Sequence, residues 1–144
     1  MANNCDTGRS GCPVASALDL VGDRWTLLVI RDLMLFGRHE FRQILQSEEG
    51  IASNILSDRL KKLIAAELVA ATAHPTNKTK KLNYLTPKGK SLIPIVIEMI
   101  LWGDDHGLHS QAPKESIRFI REHREAFVQK IMQDLDAWEK IHLP

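Results

Sequence analysis

The chain has 144 residues, of which 44% are hydrophobic, and its formal net charge at pH 7 is +1. This length suits one compact domain with a substantial core and is too short for two ordinary domains. No apolar run reaches the ~18 residues that a membrane span needs, and the amino-terminal segment lacks the apolar core of a secretory signal. A cytoplasmic protein with no membrane contact is therefore expected.

The first predicted helix follows a cysteine. Cys12 precedes Pro13, and proline is favoured in the first turn of a helix, so PVASALDLV over residues 13–21 predicts a helix with Cys12 at its start. A thiolate is stabilised at such a position, which makes Cys12 a redox-sensing candidate, with a merely structural thiol as the alternative. Together with Cys5 there are too few cysteines for a disulfide framework or a structural zinc site, so neither metal nor cofactor is expected.

A second apolar helix leads into a pair of helices joined by a short turn. WTLLVIRDLMLF over residues 25–36 predicts a largely buried helix closed by Gly37. HEFRQILQ from residue 39 predicts the next helix, SEEGI a glycine turn, and SNILSDRLKKLIAAE from residue 53 another helix. This order is typical of a helix-turn-helix, whose second helix enters the DNA major groove.

The second helix of this pair has one apolar face and one polar face. At about 100° per residue, Leu56, Leu60 and Leu63 share one side, which predicts attachment to the core. The other side offers short hydrogen-bonding groups for base edges and cations for phosphates, with Ser53 as the expected N-cap. The predicted DNA contacts of this helix are Ser53, Asn54, Ser57, Arg59, Lys61 and Lys62. Asp58 on that side repels phosphate unless a neighbouring cation neutralises it, and an ordinary amphipathic helix is the alternative.

A β-hairpin is predicted after this helix. Residues 69–73 and 82–85 are short and apolar and are separated by Pro, Asn and Thr, as hairpin strands are. Lys78, Lys80 and Lys81 lie at its turn, where we expect them to clamp phosphates as the wing of a winged helix-turn-helix.

Local charge supports DNA binding. From residue 58 to residue 90 there are eight basic and two acidic side chains, a net +6 that leaves −5 for the rest of the chain. A locally positive surface displaces counterions from phosphate without the whole protein being basic. A solvated lysine-rich loop is the alternative interpretation.

The carboxyl-terminal part predicts helices that need partners. Thr86 and Pro87 predict a helix start, and nine of the eleven residues 92–102 are apolar, so a second protomer is expected to cover one face. The dimer-interface candidates are Leu92, Ile95, Val96, Met99, Ile100 and Trp102. After a polar break over residues 104–113, a last helix is predicted over about residues 114–141, and its apolar stripe also requires a partner.

These elements predict a mainly α fold with a small β-hairpin (α+β), namely a winged helix-turn-helix with dimerisation helices. The predicted organisation is a flexible segment over residues 1–12, the winged helix-turn-helix with its dimerisation helices over residues 13–103, and a helical extension over residues 104–144.

Four stretches resemble HxlR-type regulators, a bacterial branch of dimeric winged-helix proteins related to the MarR group. They are CPVASALDLVGDRWTLLVIRDL from residue 12, GRHEFRQIL from residue 37, GIASNILSDRLKKLIAAELV from residue 50 and YLTPKGKSLIPIVIEMILWG from residue 84. The resemblance implies a homodimeric transcription factor, repressor or activator, that binds double-stranded DNA at a palindromic operator. It also implies that the first helix and the helix over residues 86–102 build the dimer interface.

The resemblance bears on two further features. Some members of the family sense quinones, aldehydes or hypochlorite through a cysteine in the place of Cys12, and others carry it without a demonstrated sensing role. Response to redox or to a small-molecule inducer therefore stays open. Asn83 stands where the wing strand usually has a tyrosine, with Tyr84 beside it, which puts the register of the wing in question.

Two alternatives belong to other classes of protein. Asp104, Asp105, His106 and His109 combine carboxylates with imidazoles that could hold zinc or iron in an enzyme. They fall in a glycine-containing break between helices, where polar residues are expected because the loop is wet, and no nucleophile arrangement is recognisable, so an enzyme is not expected. The other alternative is a protein–protein interaction module on a winged-helix scaffold, which the basic hairpin disfavours.

Overall fold

Helices make up most of the molecule, and one antiparallel hairpin follows the fourth helix. The computed structural model describes residues 10–108 and 111–144, so the predictions for Cys5 and His109, and most of those for residues 1–12, lie outside the described residues. The elements in chain order are α1 (Pro13–Val21), α2 (Thr26–Leu35), α3 (Phe41–Leu45), α4 (Ser53–Ala65), β1 (Val69–Ala73), β2 (Lys81–Leu85), α5 (Pro87–Lys90), α6 (Ile93–Asp105), α7 (Lys114–Glu122) and α8 (Arg124–His142). The predicted mainly α fold with a small hairpin is confirmed.

The predicted helix over residues 86–102 is in fact two helices. α5 is a short turn capped by the Thr86 hydroxyl, which accepts a hydrogen bond from the Gly89 amide at 3.1 Å. α6 then starts afresh, with Pro94 in its first turn. Proline cannot donate to the carbonyl four residues back and its ring collides with it, so a continuous helix through Pro94 is excluded. α6 continues past Gly103 to Asp105, further than predicted, and no helix among the described residues is long and apolar enough to cross a membrane.

The last predicted helix is also interrupted. His123, with φ −135° and ψ 50°, separates α7 from α8, and its amide still donates to the carbonyl of Phe119 at 2.8 Å. The interruption changes the direction of the apolar stripe without a glycine or proline, so no local sequence signal marks it.

One hydrophobic core joins nearly all of these elements. Ile30 and Leu33 of α2, Leu56 of α4, Leu85 of β2 and Ile97 of α6 are each at most 1% exposed and belong to the same cluster. Burying each such side chain contributes about 1.5–3 kcal/mol to folding. The core therefore fixes the helix-turn-helix, the hairpin and α6 to one another.

The carboxyl-terminal extension covers this same core. Ile120 of α7 and Ile131 and Leu135 of α8 are buried within the cluster. The partner that the apolar stripe of residues 114–141 requires is therefore supplied by the protomer itself. Ile141, counted in that stripe, lies past its buried part and is 77% exposed.

A buried carboxylate connects α2 to the turn of the helix-turn-helix. Asp32 is 2% exposed and pairs with Arg31 at 2.8 Å and Arg38 at 3.2 Å. Arg31 also reaches Glu49 in the turn between α3 and α4, at 3.0 Å. Because both arginines remain partly exposed, the network holds the turn in place without burying an unpaired cation.

Candidate nucleic-acid interface

The helix-turn-helix is built by α3, α4 and a tight turn between them. Glu40 and Gln43 form a capping box at the start of α3. In the turn, Gly50 has a φ of +70°, a left-handed conformation that costs glycine little and other residues more. Ile44 and Ile51 are buried on either side of the turn, which anchors the two helices at a fixed angle.

α4 lies on the core through its leucines, as its spacing predicts. Leu56, Leu60 and Leu63 are 0%, 7% and 2% exposed. The opposite face carries the predicted DNA-contacting side chains, of which Asn54, Lys61 and Lys62 are exposed and Ser57 is half-buried. Most of the polar face of the helix is therefore open to solvent.

The prediction that Ser53 caps α4 is wrong by one position. Ala52 is the N-cap, with extended φ and ψ, and its carbonyl accepts the first helical hydrogen bond from the Leu56 amide at 2.9 Å. Ser53 is the first helical residue, and its exposed hydroxyl makes no cap. Because the helix begins one residue earlier than a side-chain cap requires, this hydroxyl is left facing outward beside Asn54.

Arg59, predicted to contact DNA, is engaged inside the protein. Its guanidinium binds Asp23 at 2.7 Å and Asp58 at 2.5 Å, and only 21% of the side chain is exposed. Lys62 also approaches Asp58, at 3.2 Å. Two cations therefore neutralise Asp58, and Arg59 fastens α4 to the turn between α1 and α2 instead of extending toward a phosphate.

Asp23 is suited to hold Arg59. Its carboxylate accepts hydrogen bonds from the Trp25 and Thr26 amides at 3.0 and 3.1 Å and from the Thr26 hydroxyl. Partial burial alone raises the pKa of Asp23, but the bonds from Thr26 and Arg59 outweigh that effect and lower the pKa to about 2. The residue therefore stays charged near neutral pH.

The hairpin presents its lysines at the tip. A turn over residues 74–80 is closed by the His74 amide, which donates to the Lys80 carbonyl at 3.1 Å. The side chains of His74 and Asn77 accept further hydrogen bonds from the Asn77 and Thr79 amides. Lys78, Lys80 and Lys81 are all exposed. Lys80 lies 3.8 Å from Glu40 yet keeps 48% of its side chain in solvent. These cations are positioned beside the helix-turn-helix, as a wing requires.

Asn83 settles the register of the wing. It faces Ala71 in the ladder and is 6% exposed. Its amide N–H donates to the His39 carbonyl at 2.8 Å, and its side-chain Nδ2 donates to the same oxygen at 3.2 Å. Asn83 thus satisfies a buried polar group at this position and attaches β2 to the segment before α3.

The dimer-interface candidates divide into exposed and buried residues. Ile95, Met99 and Trp102 are 43%, 56% and 60% exposed, which is unusual for large apolar side chains of one helix. Leu92 and Ile100 are half-buried against the core. Val96, 6% exposed, belongs to the core of its own protomer, because the helix turns that side inward. It is therefore removed from the predicted interface.

α1 extends this apolar surface. None of its residues is buried, and Val14 and Leu18 are 66% and 58% exposed. A cleft of about 900 Å³ lies between α1, α2 and α6, with Leu18, Leu27 and Met99 among its lining. The exposed apolar side chains of α1 and α6 thus form an apolar surface that the described chain leaves uncovered.

Cys12 lies at the N-terminus of α1, as predicted. It is the N-cap residue and is exposed to solvent. The backbone amides of Ala15 and then Val14 lower the pKa of the thiol from its ordinary value of 9.0, against a small opposing effect of burial.

The described residues of the metal alternative, which exclude His109, are engaged with other groups. Asp104 and Asp105 both bind Arg121, at 3.0 and 2.6 Å. His106 stacks on Trp102, and its Nδ1 lies 2.8 Å from the Trp102 carbonyl oxygen. Within residues 10–108 and 111–144, no three histidine, cysteine or acidic side chains are grouped as metal ligands. The structure gives the metal hypothesis no support.

A recognition helix open on its polar side, a lysine-bearing wing and a rigid turn between them define a winged helix-turn-helix protein. A sequence model of HxlR-like helix-turn-helix proteins matches residues 20–111. The chain therefore belongs to the HxlR family and is a helix-turn-helix transcriptional regulator.

Individual proteins similar to this chain support the assignment to a family of transcriptional regulators. The transcriptional regulator YodB of Bacillus subtilis is 36% identical over 98 residues, which cover 67% of this chain and 87% of YodB. The crystal structure of PA1607 superposes with a TM-score of 0.62 at 33% identity, over 74% of this chain and 70% of that one. The structure of the oxidised form of the redox regulator HypR superposes with a TM-score of 0.58 at 28% identity, over 65% of this chain and 96% of HypR.

Proposed function

We propose that two copies of this chain form a homodimer that binds a palindromic operator in double-stranded DNA. One observation carries the proposal: the polar face of α4 and the lysines of the wing are exposed together, beside an uncovered apolar surface on α1 and α6. A pair of such protomers presents its recognition helices about 34–36 Å apart, in successive major grooves. In this proposed function the protein acts in the cytoplasm and catalyses no reaction.

Each exposed group has a role that its chemistry suits. Asn54 and Ser57 donate to and accept from base edges near the start of α4, with Ser53 beside them. Lys61 and Lys62 on α4, and the wing lysines, bind phosphates and contribute affinity that does not depend on sequence. Arg59 holds the helix in position through Asp23 and so supports these contacts indirectly.

The assignment of base and phosphate contacts is tested by two double variants. Lys80→Ala with Lys81→Ala is expected to weaken binding to all sequences and to reduce the slope of log K against log salt by about 0.9 for each phosphate that is no longer neutralised. Asn54→Ala with Ser57→Ala is expected to change the preference among sequences and to leave that slope unchanged. Operator selection from a random pool, followed by titrations between about 50 and 200 mM salt, measures both.

A matched control uses Lys130→Ala, because Lys130 is an exposed lysine of α8, paired with Asp134 and 67% exposed. It is expected to bind like the unmodified protein. If both double variants shifted affinity and preference in the same way, the division of roles would be wrong. Salt-independent binding of the unmodified protein would instead favour the interaction-module alternative.

We also propose that Cys12 makes the regulator responsive to oxidants or electrophiles. The proposal is supported by the exposed position of the thiol, its lowered pKa and the named states of the relatives, since YodB has been crystallised diamide-treated and quinone-bound and HypR is named a redox regulator. A chemical change at Cys12 would move the start of α1, and α1 belongs to the proposed interface. α1 is followed by Asp23, whose carboxylate binds Arg59 of α4. The distance between the two recognition helices would change as a result.

The reactivity of Cys12 is tested in a Cys5→Ser background. A lowered pKa means that the thiolate forms at lower pH, so the alkylation rate with iodoacetamide should reach half its maximum at a lower pH in the folded protein than in the same protein unfolded in urea. A quinone, which adds to a single thiolate, should release operator DNA from this variant and leave the protein that also carries Cys12→Ser bound. Identical pH profiles for folded and unfolded protein, or release from Cys12→Ser, would contradict the proposal.

A further inference from the structure

The carboxyl-terminal helix meets the base of the wing through three stacked rings. The Trp138 indole of α8 lies against His39, with centroids 3.8 Å apart and ring planes 14° from parallel. His142, one turn further along α8, stacks on the same indole at 4.3 Å and 16°. Tyr84 of β2 lies 6.1 Å from the same indole. This extension lies beyond residues 20–111, the part of the chain that the family model matches.

His39 transmits this contact to the wing. It is 6% exposed, and its ring Nδ1 lies 2.8 Å from the carbonyl oxygen of Asn83 in β2. The backbone of Asn83 donates in turn to the carbonyl of His39. The next residue, Glu40, pairs with Leu82 as an isolated bridge, and its carboxylate lies 3.4 Å from His74 at the wing turn. The His39–Glu40 segment is therefore bonded along the edge of β2 through one isolated bridge and the His39–Asn83 hydrogen bonds.

A second attachment joins α8 to α5, the short helix that follows β2. The ammonium of Lys90, in α5, binds Glu139 at 2.8 Å and Asp136 at 3.3 Å. Only 10% of the Lys90 side chain is exposed, so these bonds are partly shielded from water. One turn of α8 is thus attached both to His39 beside β2, through Trp138, and to Lys90 after β2, through Asp136 and Glu139.

We propose that α8 sets the direction of the wing relative to α4, and that Trp138 is a positioning residue for DNA binding. A two-stranded hairpin is only marginally stable by itself, so what packs against its base decides where its tip points. Trp138 fixes His39, His39 fixes Asn83, and β2 then carries Lys80 and Lys81 toward the phosphates. The proposal rests on the proposed function through those two lysines.

The test compares three variants of the full-length protein in the salt titration. Trp138→Ala removes the stack and is expected to reduce the slope of log K against log salt toward that of the Lys80→Ala, Lys81→Ala variant, about 0.9 for each phosphate that the wing no longer reaches. Trp138→Phe keeps a stacking ring and should restore most of the slope. Ile141→Ala, at a 77% exposed position of the same helix, is the matched control and should leave the slope unchanged. A decrease in folded protein alone lowers the active fraction and does not alter this slope.

Combination with the lysine variant separates this proposal from the proposed function. If Trp138 acts through the wing, adding Trp138→Ala to Lys80→Ala and Lys81→Ala should change the slope no further. An unchanged slope in Trp138→Ala, or additive changes, would overturn the positioning role. An unchanged slope in the lysine variant itself would instead overturn the phosphate role of the wing.

A milder variant keeps the test informative if Trp138→Ala does not fold. His142→Ala removes only the outer ring of the stack, at the last residue of α8. It is expected to speed hydrogen exchange at the amides of β2 and to give an intermediate slope, with exchange in α4 unchanged. Unchanged exchange in β2 together with an unmodified slope would count against the proposal.

Discussion

Replacing Leu56 by alanine is expected to lower the free energy of unfolding by about 2–5 kcal/mol. Leu56 is 0% exposed at the centre of the core and is one of three leucines that hold the recognition helix. The decrease combines the transfer free energy of the removed isopropyl group with the cost of the cavity left behind, because the surrounding side chains collapse only partly. Urea denaturation followed by circular dichroism measures it.

The same helix supplies the control. Asn54 is exposed two residues earlier, so Asn54→Ala should change the free energy of unfolding by no more than about 0.5 kcal/mol. The two variants should therefore separate stability from DNA recognition. Leu56→Ala should lower the free energy of unfolding, whereas Asn54→Ala should change only the preference among DNA sequences. Equal stabilities for the two variants would mean that the leucine side of α4 is not anchored as described.

Replacing Met99 by glutamate is expected to convert the proposed dimer to monomers and to weaken operator binding by about 10²–10⁴-fold. Met99 is 56% exposed at the centre of the apolar surface of α1 and α6. A carboxylate there stays solvated in the monomer but is dehydrated in a dimer, and a symmetric interface buries two of them. Each recognition helix then binds its half-site alone, without the second, effectively intramolecular contact.

Analytical ultracentrifugation and binding to a full operator and to a half-site measure this effect. Ile141→Glu places the same charge at an apolar position of α8 that is 77% exposed, away from α1 and α6, and should remain dimeric. Affinity for an isolated half-site should be unchanged by Met99→Glu. A dimeric Met99→Glu protein would place the interface elsewhere.

The orientation of the recognition helix could be predicted from its sequence, because a repeat of leucines at three- and four-residue steps specifies which side is buried. The hairpin and its lysines could be predicted for a similar reason, since turn residues separate two short apolar segments. Cys12 at a helix start follows from Pro13 alone. In each case neighbouring residues contain the whole signal.

What could not be predicted is which element covers each buried side. The apolar stripe of the last predicted helix indicates that something must cover it. Only the structure shows that α2 and α6 of the same protomer pack against this stripe. The ion pair of Asp23 with Arg59 and the stack of His39 on Trp138 join residues far apart in the chain, and no periodicity reports such contacts. The sequence predicts a DNA contact for Arg59 because the positive charge of this residue can be read from the sequence, whereas its ion pair with Asp23 cannot.

In the proposed dimer, the position of α1 would tie its stability to protein concentration. It has nine residues, none of which is fully buried in its own protomer, and an isolated helix shorter than ~12–15 residues is marginal in water. In the proposed dimer the second copy supplies the missing contacts, so α1 becomes ordered as the copies associate. The concentration of the protein in a cell would then determine the fraction of molecules in which α1 is formed with Cys12 at its start. The pKa of the Cys12 thiol would be lowered only in that fraction.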